Sequence, residues 1–247
     1  MQKKRKFDKT AFVFIAPAFI FFTLFIIVPT VSSVYYSFTS WDGVSPNVKF
    51  IGLANYKEIF AAKGFLKALR NSLAISALGA AIATGLAFIM AYTVNYTNVG
   101  NGYKKTLKTL ALLPMLLPTI TYGFAIIYSF GKQGLFTRLL GRQAFDIYGI
   151  CGLLIGYVIY TLPISFMLIN NTMGYIDKKF MVVSRVMKDS AWGTFRETLL
   201  RPLAGTLAVS FIQCFFLCFT DFGIPASVGG RVEVIASVLY AQMLGSV

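Results

Sequence analysis

The spacing of the charged residues constrains this chain more than any other feature, because five long intervals contain no charge at all. These intervals are residues 10–41, 71–103, 109–131, 147–176 and 202–220. An α-helix rises about 1.5 Å per residue, so about 20 residues cross a hydrocarbon layer about 30 Å thick, and a helix satisfies its own backbone hydrogen bonds there. The pattern therefore predicts an all-α polytopic membrane protein with about five visible spans.

The charge-free intervals divide the chain into spans and loops. We predict spans at residues 11–34, 73–97, 109–130, 149–172 and 203–220. The main segments outside the spans are a basic N-terminus at 1–10, an external loop at 35–72, a cytoplasmic loop at 173–202, and an external segment with the start of a further span at 221–247. The first apolar run is much longer than that of a secretory signal, so we interpret it as an uncleaved anchor.

Lys and Arg are distributed unequally between alternate loops. The loops on the side of the N-terminus carry 14 of them, and the loops on the other side carry 9. Because cytoplasmic loops carry the excess of basic residues, we predict a multi-pass cell membrane protein with a cytoplasmic N-terminus. We interpret the net charge of +14 as this orientation signal, and we expect no nucleic-acid partner.

Residue types suited to catalysis or metal binding are scarce. The sequence contains no His, and its three Cys residues lie within the predicted spans. It also contains no Gly-rich phosphate-binding motif and no pair of neighbouring carboxylates. We therefore expect no enzyme activity, no metal site and no cofactor in this chain, so any energy source must belong to another chain.

Prolines and polar residues interrupt the predicted spans. Pro114 and Pro118 lie one helical turn apart in the third span, where each removes a backbone donor and favours a kink. Polar side chains in the spans are suited either to lining a route for a solute or to bonding neighbouring helices. The candidates for a translocation pathway are Thr119, Tyr122, Asn170, Gln213 and Asp221.

The cytoplasmic loop contains a short amphipathic segment. Asp177 is suited to cap a helix over residues 178–187. One face of that helix carries Phe180, Val183, Ser184 and Met187. Such a helix either lies on anionic lipid or inserts its apolar face into a groove on a soluble partner, and the residue pattern leaves both alternatives open.

Several motifs, in their order along the chain, resemble those of ABC importer permeases. Residues 175–202 resemble the cytoplasmic coupling loop of that family, in which a short helix docks onto an ATP-hydrolysing subunit. The segment 50–56, FIGLANY, with the preceding Trp41-Asp42-Gly43, resembles the external segment after the first span. The segment 220–225, TDFGIP, resembles permeases of the ferric-iron, thiamine and 2-aminoethylphosphonate group.

The resemblance implies a type I ABC importer permease fold of which the sixth span is missing here. It implies the import of a small solute, such as iron or a phosphonate, that an external binding protein delivers. The implied partners are a dimer of ATP-binding subunits, the external solute-binding protein, and a second permease half or homologous subunit. The implied ATPase-coupling residues are Asp177, Phe180, Val183, Ser184, Met187 and Lys188.

The coupling loop departs from the family pattern of Glu-Ala-Ala, three residues and Gly. The Glu-Ala-Ala core falls near residues 182–184, the glycine falls near Lys188, and the Leu-Pro pair expected after Phe195 is reduced to Pro202 at a shifted spacing. We therefore expect altered contacts with the ATPase. The alternatives are a secondary transporter or channel, disfavoured because the spans lack ionisable residues, and a membrane scaffold, disfavoured by the coupling loop.

Overall fold

Helices make up most of the structure. The computed structural model describes residues 9–143 and 145–243. Their contacts divide the chain into two units, residues 1–63 and 64–247, which are described separately. Within the described ranges, the extended pairing is limited to one isolated bridge between Thr39 and Phe50. The described part of the chain is therefore all-α, as predicted.

The first unit contains one long apolar helix. Helices α1 (Lys9–Phe22) and α2 (Val28–Ser37) are joined by a π-helical turn at Thr23–Ile27, so the helix continues without a break. The stretch Val13–Ser37 is long and apolar enough to cross a membrane. A short third helix, α3 (Ala54–Ala61), completes the unit.

The segment between α2 and α3 is held by side-chain hydrogen bonds. The Asn55 side-chain amide donates to the carbonyls of Ser37 and Thr39, at 3.0 and 2.9 Å. The Tyr56 hydroxyl lies 2.7 Å from the Ser37 hydroxyl. The Asn-Tyr pair that ends the FIGLANY motif therefore fastens the irregular segment to the end of α2.

The Trp-Asp-Gly motif forms a tight turn in this segment. Asp42 Oδ1 accepts hydrogen bonds from the backbone N–H groups of Ser45 and Val44, at 2.7 and 3.0 Å. These bonds stabilise the ionised carboxylate and hold the pKa of Asp42 below its ordinary value. Gly43 has a left-handed φ of +89°, which a glycine adopts without strain.

The second unit is built around long membrane helices. Its helices are α4 (Lys63–Tyr96), α5 (Asn101–Leu112), α6 (Thr119–Phe130), α7 (Leu135–Leu140), α8 (Ile150–Tyr175), α9 (Lys179–Val186), α10 (Ala191–Phe195), α11 (Arg201–Thr220), α12 (Gly223–Val228) and α13 (Ile235–Met243). Three helical stretches, α4, α8 and the continuous helix Ala191–Thr220, are each long and apolar enough to cross a membrane.

The predicted span at 109–130 is not a straight helix. The stretches Asn101–Leu116 and Thr119–Leu140 meet at an angle of 112°, and together they are apolar enough to form one broken span or a re-entrant pair. The break falls at Leu117, whose backbone is extended with a ψ of 143°. Leu117 precedes Pro118, and the residue before a proline is disfavoured in the helical conformation.

Small side chains and hydroxyl groups bring the long helices close together. Ala83, Ala87 and Ala91 form a fully buried stripe along α4. Between α8 and α11, the hydroxyls of Ser165 and Ser210 lie 2.6 Å apart. Buried polar groups inside a membrane protein need such partners, so this bond fastens α8 to α11.

The short helix α12 packs into a notch between α6 and α8. A Cβ added to Gly156 of α8 would lie 2.6 Å from Ile224 Cγ2, and a Cβ added to Gly223 would lie 2.6 Å from the backbone nitrogen of Ile120. Ile224 and Val228 are fully buried. Glycine therefore allows α12 to approach its neighbours more closely than any other residue would.

Candidate functional site

Helix α9 presents most of its apolar side chains outward. The outward side chains on α9 and the residue after it are Phe180, Val182, Val183, Val186 and Met187, which are between 58% and 76% exposed. We call these five side chains the α9 surface. Leaving apolar area uncovered forgoes about 25 cal/mol per Å², and exposed apolar patches mark surfaces that contact a partner or a membrane.

Ser184 is not exposed on the α9 surface, although the sequence predicts it on the same helical face as Phe180, Val183 and Met187; its part in ATPase coupling stays a prediction. It is 6% exposed, and its hydroxyl donates to Asp189 Oδ2 at 2.6 Å and lies 2.9 Å from the Thr194 hydroxyl. A hydroxyl carries one donor and two acceptor sites, so both bonds form together. Ser184 therefore fastens α9 to the start of the following helix.

A side-chain cap precedes α9, and a residue with a left-handed backbone follows it. Asp177 Oδ1 accepts a hydrogen bond from the backbone N–H of Lys179 at 2.9 Å, which confirms the capping prediction. After the helix, Lys188 adopts a left-handed φ of +58°, near the position where the pattern that this loop resembles has glycine. The turn that a glycine favours is thus retained, although a lysine occupies it.

We call residues 176–195, which contain α9 and α10, the α9 loop. Polar contacts join the start of this loop to the ends of two long helices. Lys178 Nζ donates to the Asn95 carbonyl at 2.7 Å and lies 5.5 Å from the centre of the Tyr96 ring. The Asn95 side-chain amide donates to Asn170 Oδ1 at 3.0 Å. Asn95 was not among the predicted site residues, and its only signal in the sequence is an amide in the last turn of an apolar helix.

Aromatic rings line a cavity of about 360 Å³ between the α9 loop and α4. The rings belong to Tyr92 and Tyr96 of α4 and to Phe195 of α10. The rings of Tyr92 and Phe195 meet edge to face with their centres 6.2 Å apart. Loop and helix are therefore in direct side-chain contact.

The loop continues into the last long helix without a break. Residues Arg196–Leu200 form a π-helical turn, and Ala191–Thr220 is one continuous helical stretch. A π-turn contains one residue more than an α-turn. The turn therefore inserts one residue into the helix between α10 and α11.

Tyr122 supports the break between α5 and α6. It is 3% exposed, and its one O–H group lies within hydrogen-bond distance of the backbone carbonyls of Pro114 and Leu117, the latter at 3.0 Å. These carbonyls lack a full set of helical partners because the helix stops there and Pro118 has no N–H group. In this structure the Tyr122 hydroxyl is thus engaged with backbone, and its part in a pathway stays a prediction.

Three other pathway candidates also make structural contacts. Asp221 is 8% exposed, and its Oδ2 accepts from the backbone N–H of Ile224 at 2.9 Å at the start of α12. Thr119 lies against Gly223. Asn170 accepts from the amide of Asn95. Their roles in transport stay predictions.

Gln213 differs from the other four pathway candidates because its side chain is exposed. It lies on α11 between Ile212 and Phe216, which are 52% and 58% exposed. An amide on an open face of a membrane helix requires a polar partner outside this surface, because hydrocarbon offers none. This placement is compatible with a solute route or with contact to another chain.

The chain belongs to the family of binding-protein-dependent transport system inner membrane components, whose sequence profile matches residues 83–245. The matched region contains the whole α9 loop. The chain is thus an ABC importer permease, the family that the sequence motifs resemble.

Relatives in this family include ferric transport permeases. The putative ferric transport system permease protein FbpB 1 of Haemophilus influenzae is 26% identical over 229 residues, and the ferric transport system permease protein FbpB of Actinobacillus pleuropneumoniae is 26% identical over 232 residues. Each alignment covers 90% of this chain but only 34% and 32% of the relative. The chain therefore spans about a third of the length of these proteins.

Solved structures share the fold. A bacterial ABC transporter involved in the import of the polysaccharide alginate matches with a TM-score of 0.78 over 97% of this chain and 85% of that chain, at 15% identity. The alginate transporter in complex with an alginate pentasaccharide-bound periplasmic protein matches with a TM-score of 0.76, over 97% and 84%, at 14% identity. The predicted ABC importer permease fold is confirmed.

Proposed function

We propose that this chain is the transmembrane subunit of an ATP-driven importer and that the α9 surface docks onto a separate ATP-hydrolysing subunit in the cytoplasm. The observation that carries this proposal is the set of five exposed apolar side chains on one short helix and the residue after it, with Lys178 just before the helix bonded to Asn95 at the end of α4, which in turn bonds to Asn170 of α8. Membership of the permease family favours a protein groove over anionic lipid as the cover for this surface.

The contacts of the α9 loop would let it transmit a displacement to the long helices. ATP-driven closure of two partner subunits would push on α9. The Lys178–Asn95–Asn170 contacts and the Phe195 ring would carry that displacement to α4 and α8, and the continuous helix would carry it to α11. The spans would then move as rigid bodies between outward and inward access, a two-state equilibrium that ATP and the loaded binding protein bias.

The proposed cargo is a small solute delivered by an external binding protein, with ferric iron as the first candidate and a phosphonate as the second. Two ferric transport permeases that align over 90% of this chain support iron. A diacetylchitobiose uptake permease of Streptomyces coelicolor, 26% identical over 164 residues, illustrates the range of the family. Uptake of radioactive ferric iron and of 2-aminoethylphosphonate by cells with and without the gene tests the order of the two candidates.

The docking proposal is tested by co-purification of the ATPase subunit with the permease in mild detergent. Phe180→Asp and Met187→Asp place a charge in the apolar contact, so we expect at least about tenfold less bound ATPase. Lys179→Ala, on the same helix but outside the α9 surface, is the matched control and should retain it. If the Asp variants keep the ATPase, docking does not use the α9 surface. If the wild type binds no ATPase, a secondary transporter or channel is the better assignment.

We also propose that Gln213 lines the translocation pathway, because it is the exposed amide on α11. Gln213→Leu should lower the uptake rate while leaving ATPase co-purification unchanged. Thr220→Val, an exposed polar residue at the end of the same helix, serves as the control. An uptake rate unchanged in Gln213→Leu would remove Gln213 from the pathway.

A further inference from the structure

Helix α5 begins with a basic turn beside the end of α4. The side chain of Lys104 donates to the Thr97 carbonyl at 2.7 Å, directly after α4. Lys105 and Lys108 are exposed, and among the side chains that the structure describes neither takes part in an ion pair. These two lysines are three residues apart, so they lie on the same face of α5. One lysine of the helix is therefore engaged in the fold, and two are open to a ligand.

An apolar groove of about 420 Å³ continues the face of α5 that carries these two lysines. It lies between α8 and the stretch formed by α5 and the turn after it, and its lining residues are Thr109, Leu112, Leu113, Met115, Leu116 and Met167. From Lys105 and Lys108, the residues Thr109, Leu112 and Leu116 follow at the spacing of one helical stripe. A cationic end therefore leads into an apolar groove along a single face.

The depth of the groove matches that of acyl chains below lipid headgroups. Leu112 and Leu116 follow Lys108 by one and two helical turns, which places them about 6 and 12 Å further along the helix axis. By the same measure, Met167 lies about 12 Å before the end of α8 at Tyr175, where the α9 loop begins. Both helices therefore place the groove inside the hydrocarbon layer and the lysines near its boundary on the α9 side.

The groove is open in the described part of the chain. Leu116 is 83% exposed, and Met167 on the opposite wall is 41% exposed. Apolar side chains on a membrane helix ordinarily face lipid tails, so their exposure alone identifies no ligand. The lysines at the end of the groove make the difference, because a free anion would use only the lysines and a neutral lipid would use only the groove. An anionic phospholipid uses both.

We infer that this face of α5 binds one anionic phospholipid from the leaflet on the α9 side, with its phosphate at Lys105 and Lys108 and an acyl chain in the groove. Each lysine near an anionic lipid surface strengthens binding about fivefold, and the apolar contact of the chain adds to this. The acyl chain lies against the last turn before the 112° break, so the bound lipid braces α5 against α8 at that break. This site depends on the membrane helices alone and not on the docking of an ATPase.

The test is a lipid titration of the purified, delipidated permease, in which native mass spectrometry counts the bound lipid. We expect phosphatidylglycerol to bind at least about fivefold more tightly than phosphatidylcholine, whose headgroup has no net charge. The double variant Lys105→Gln/Lys108→Gln should remove this preference. Lys179→Gln, an exposed lysine of α9 away from the groove, is the matched control and should retain it. Equal affinity of the wild type for the two lipids, or an unchanged preference in the double variant, would overturn the inference.

A second variant tests the acyl chain separately from the headgroup. Leu116→Trp puts a ring where the chain would lie, so phosphatidylglycerol should bind at least about fourfold more weakly, the loss of roughly one methylene contact. Leu110→Trp, at a residue of α5 that is 62% exposed and outside the groove lining, should bind as the wild type does. Inorganic phosphate, and phosphatidylglycerol with chains too short to fill the groove, should not displace the bound lipid. If either displaces it, the lysines bind phosphate groups without the groove and the inference is wrong.

Discussion

Two short helices, α9 and α12, follow long membrane helices and are rich in apolar side chains, yet only one of them is covered. Helix α12 buries Ile224 and Val228 completely against α6 and α8. Helix α9 leaves five apolar side chains open and is held to the protein through polar contacts at Lys178 and Ser184.

This difference separates structural packing from a surface that is available to a partner. Helix α12 is covered because Gly156 of α8 and its own Gly223 allow close approach to α8 and α6, so its apolar groups contribute to the stability of this chain alone. Helix α9 is kept in place by hydrogen bonds that need little apolar contact, which leaves its apolar groups free to be buried by another chain. Substitutions in α12 should therefore change stability, and substitutions in α9 should change association.

The largest effect should come from shortening a buried side chain of α12. Ile224→Ala removes a fully buried side chain and should lower the free energy of unfolding by about 2–4 kcal/mol, through lost burial and a residual cavity. Met187→Ala, 73% exposed on the α9 surface, should change it by less than about 0.5 kcal/mol. Unfolding of the purified permease in detergent measures both variants, and equal losses would show that α9 is covered within the chain.

A second large effect should come from adding one methyl group where α12 meets the broken helix. Gly223→Ala places a Cβ 2.6 Å from the backbone nitrogen of Ile120, which cannot move like a side-chain tip, so we expect a loss of about 1–3 kcal/mol. Gly205→Ala in α11 meets no atom within 4 Å and should be neutral or slightly stabilising. A neutral Gly223→Ala would indicate that the notch is looser than the structure has it.

An intermediate effect should come from the bond that holds α9 in place. Ser184→Ala leaves Asp189 and Thr194 without their shared partner and should lower stability by about 1 kcal/mol. The double variant Ser184→Ala/Asp189→Ala should lose less than the sum of the single losses, because both substitutions remove the same bond. Additive losses in this cycle would mean that the two side chains do not interact. Ser184→Ala should reduce ATPase co-purification only to the extent that the loss of this bond lets α9 move out of place.

Much of this architecture was predictable because charge patterning is a direct consequence of the membrane as a solvent. A charge is expensive in hydrocarbon, so charge-free intervals mark long helices whatever their tertiary partners. The bend at Leu117 could also be predicted, since a proline disfavours the helical conformation of the residue before it, and Leu117 precedes Pro118. The contact of Tyr122 with this bend could not be predicted, because it depends on where α6 begins.

The orientation of α9 could be predicted only in part. Apolar residues occupy five of the eight positions of the helix, including Val182 and Val186, so helical periodicity does not define a single narrow apolar face. Ser184 points inward because its hydroxyl bonds to Asp189 and Thr194. These two residues come near Ser184 only once the turn at Lys188 has formed. The contact between Asn95 and Lys178 joins residues 83 positions apart and leaves no local pattern.

The smallest effect, and the one of opposite sign, should come from Lys188. A lysine at φ +58° carries a steric cost of about 1–2 kcal/mol that glycine avoids, while glycine loses about 0.5–1 kcal/mol more backbone entropy on folding. Lys188→Gly should therefore raise the free energy of unfolding by about 0.5 kcal/mol, whereas Lys188→Val should lower it, because a β-branched side chain is least tolerant of this conformation. Unfolding measurements on the two variants test the sign. If Lys188→Gly also increases the amount of ATPase that co-purifies, the conformation of this turn limits docking of the α9 surface. If that amount is unchanged, the turn serves only to reverse the chain between α9 and α10.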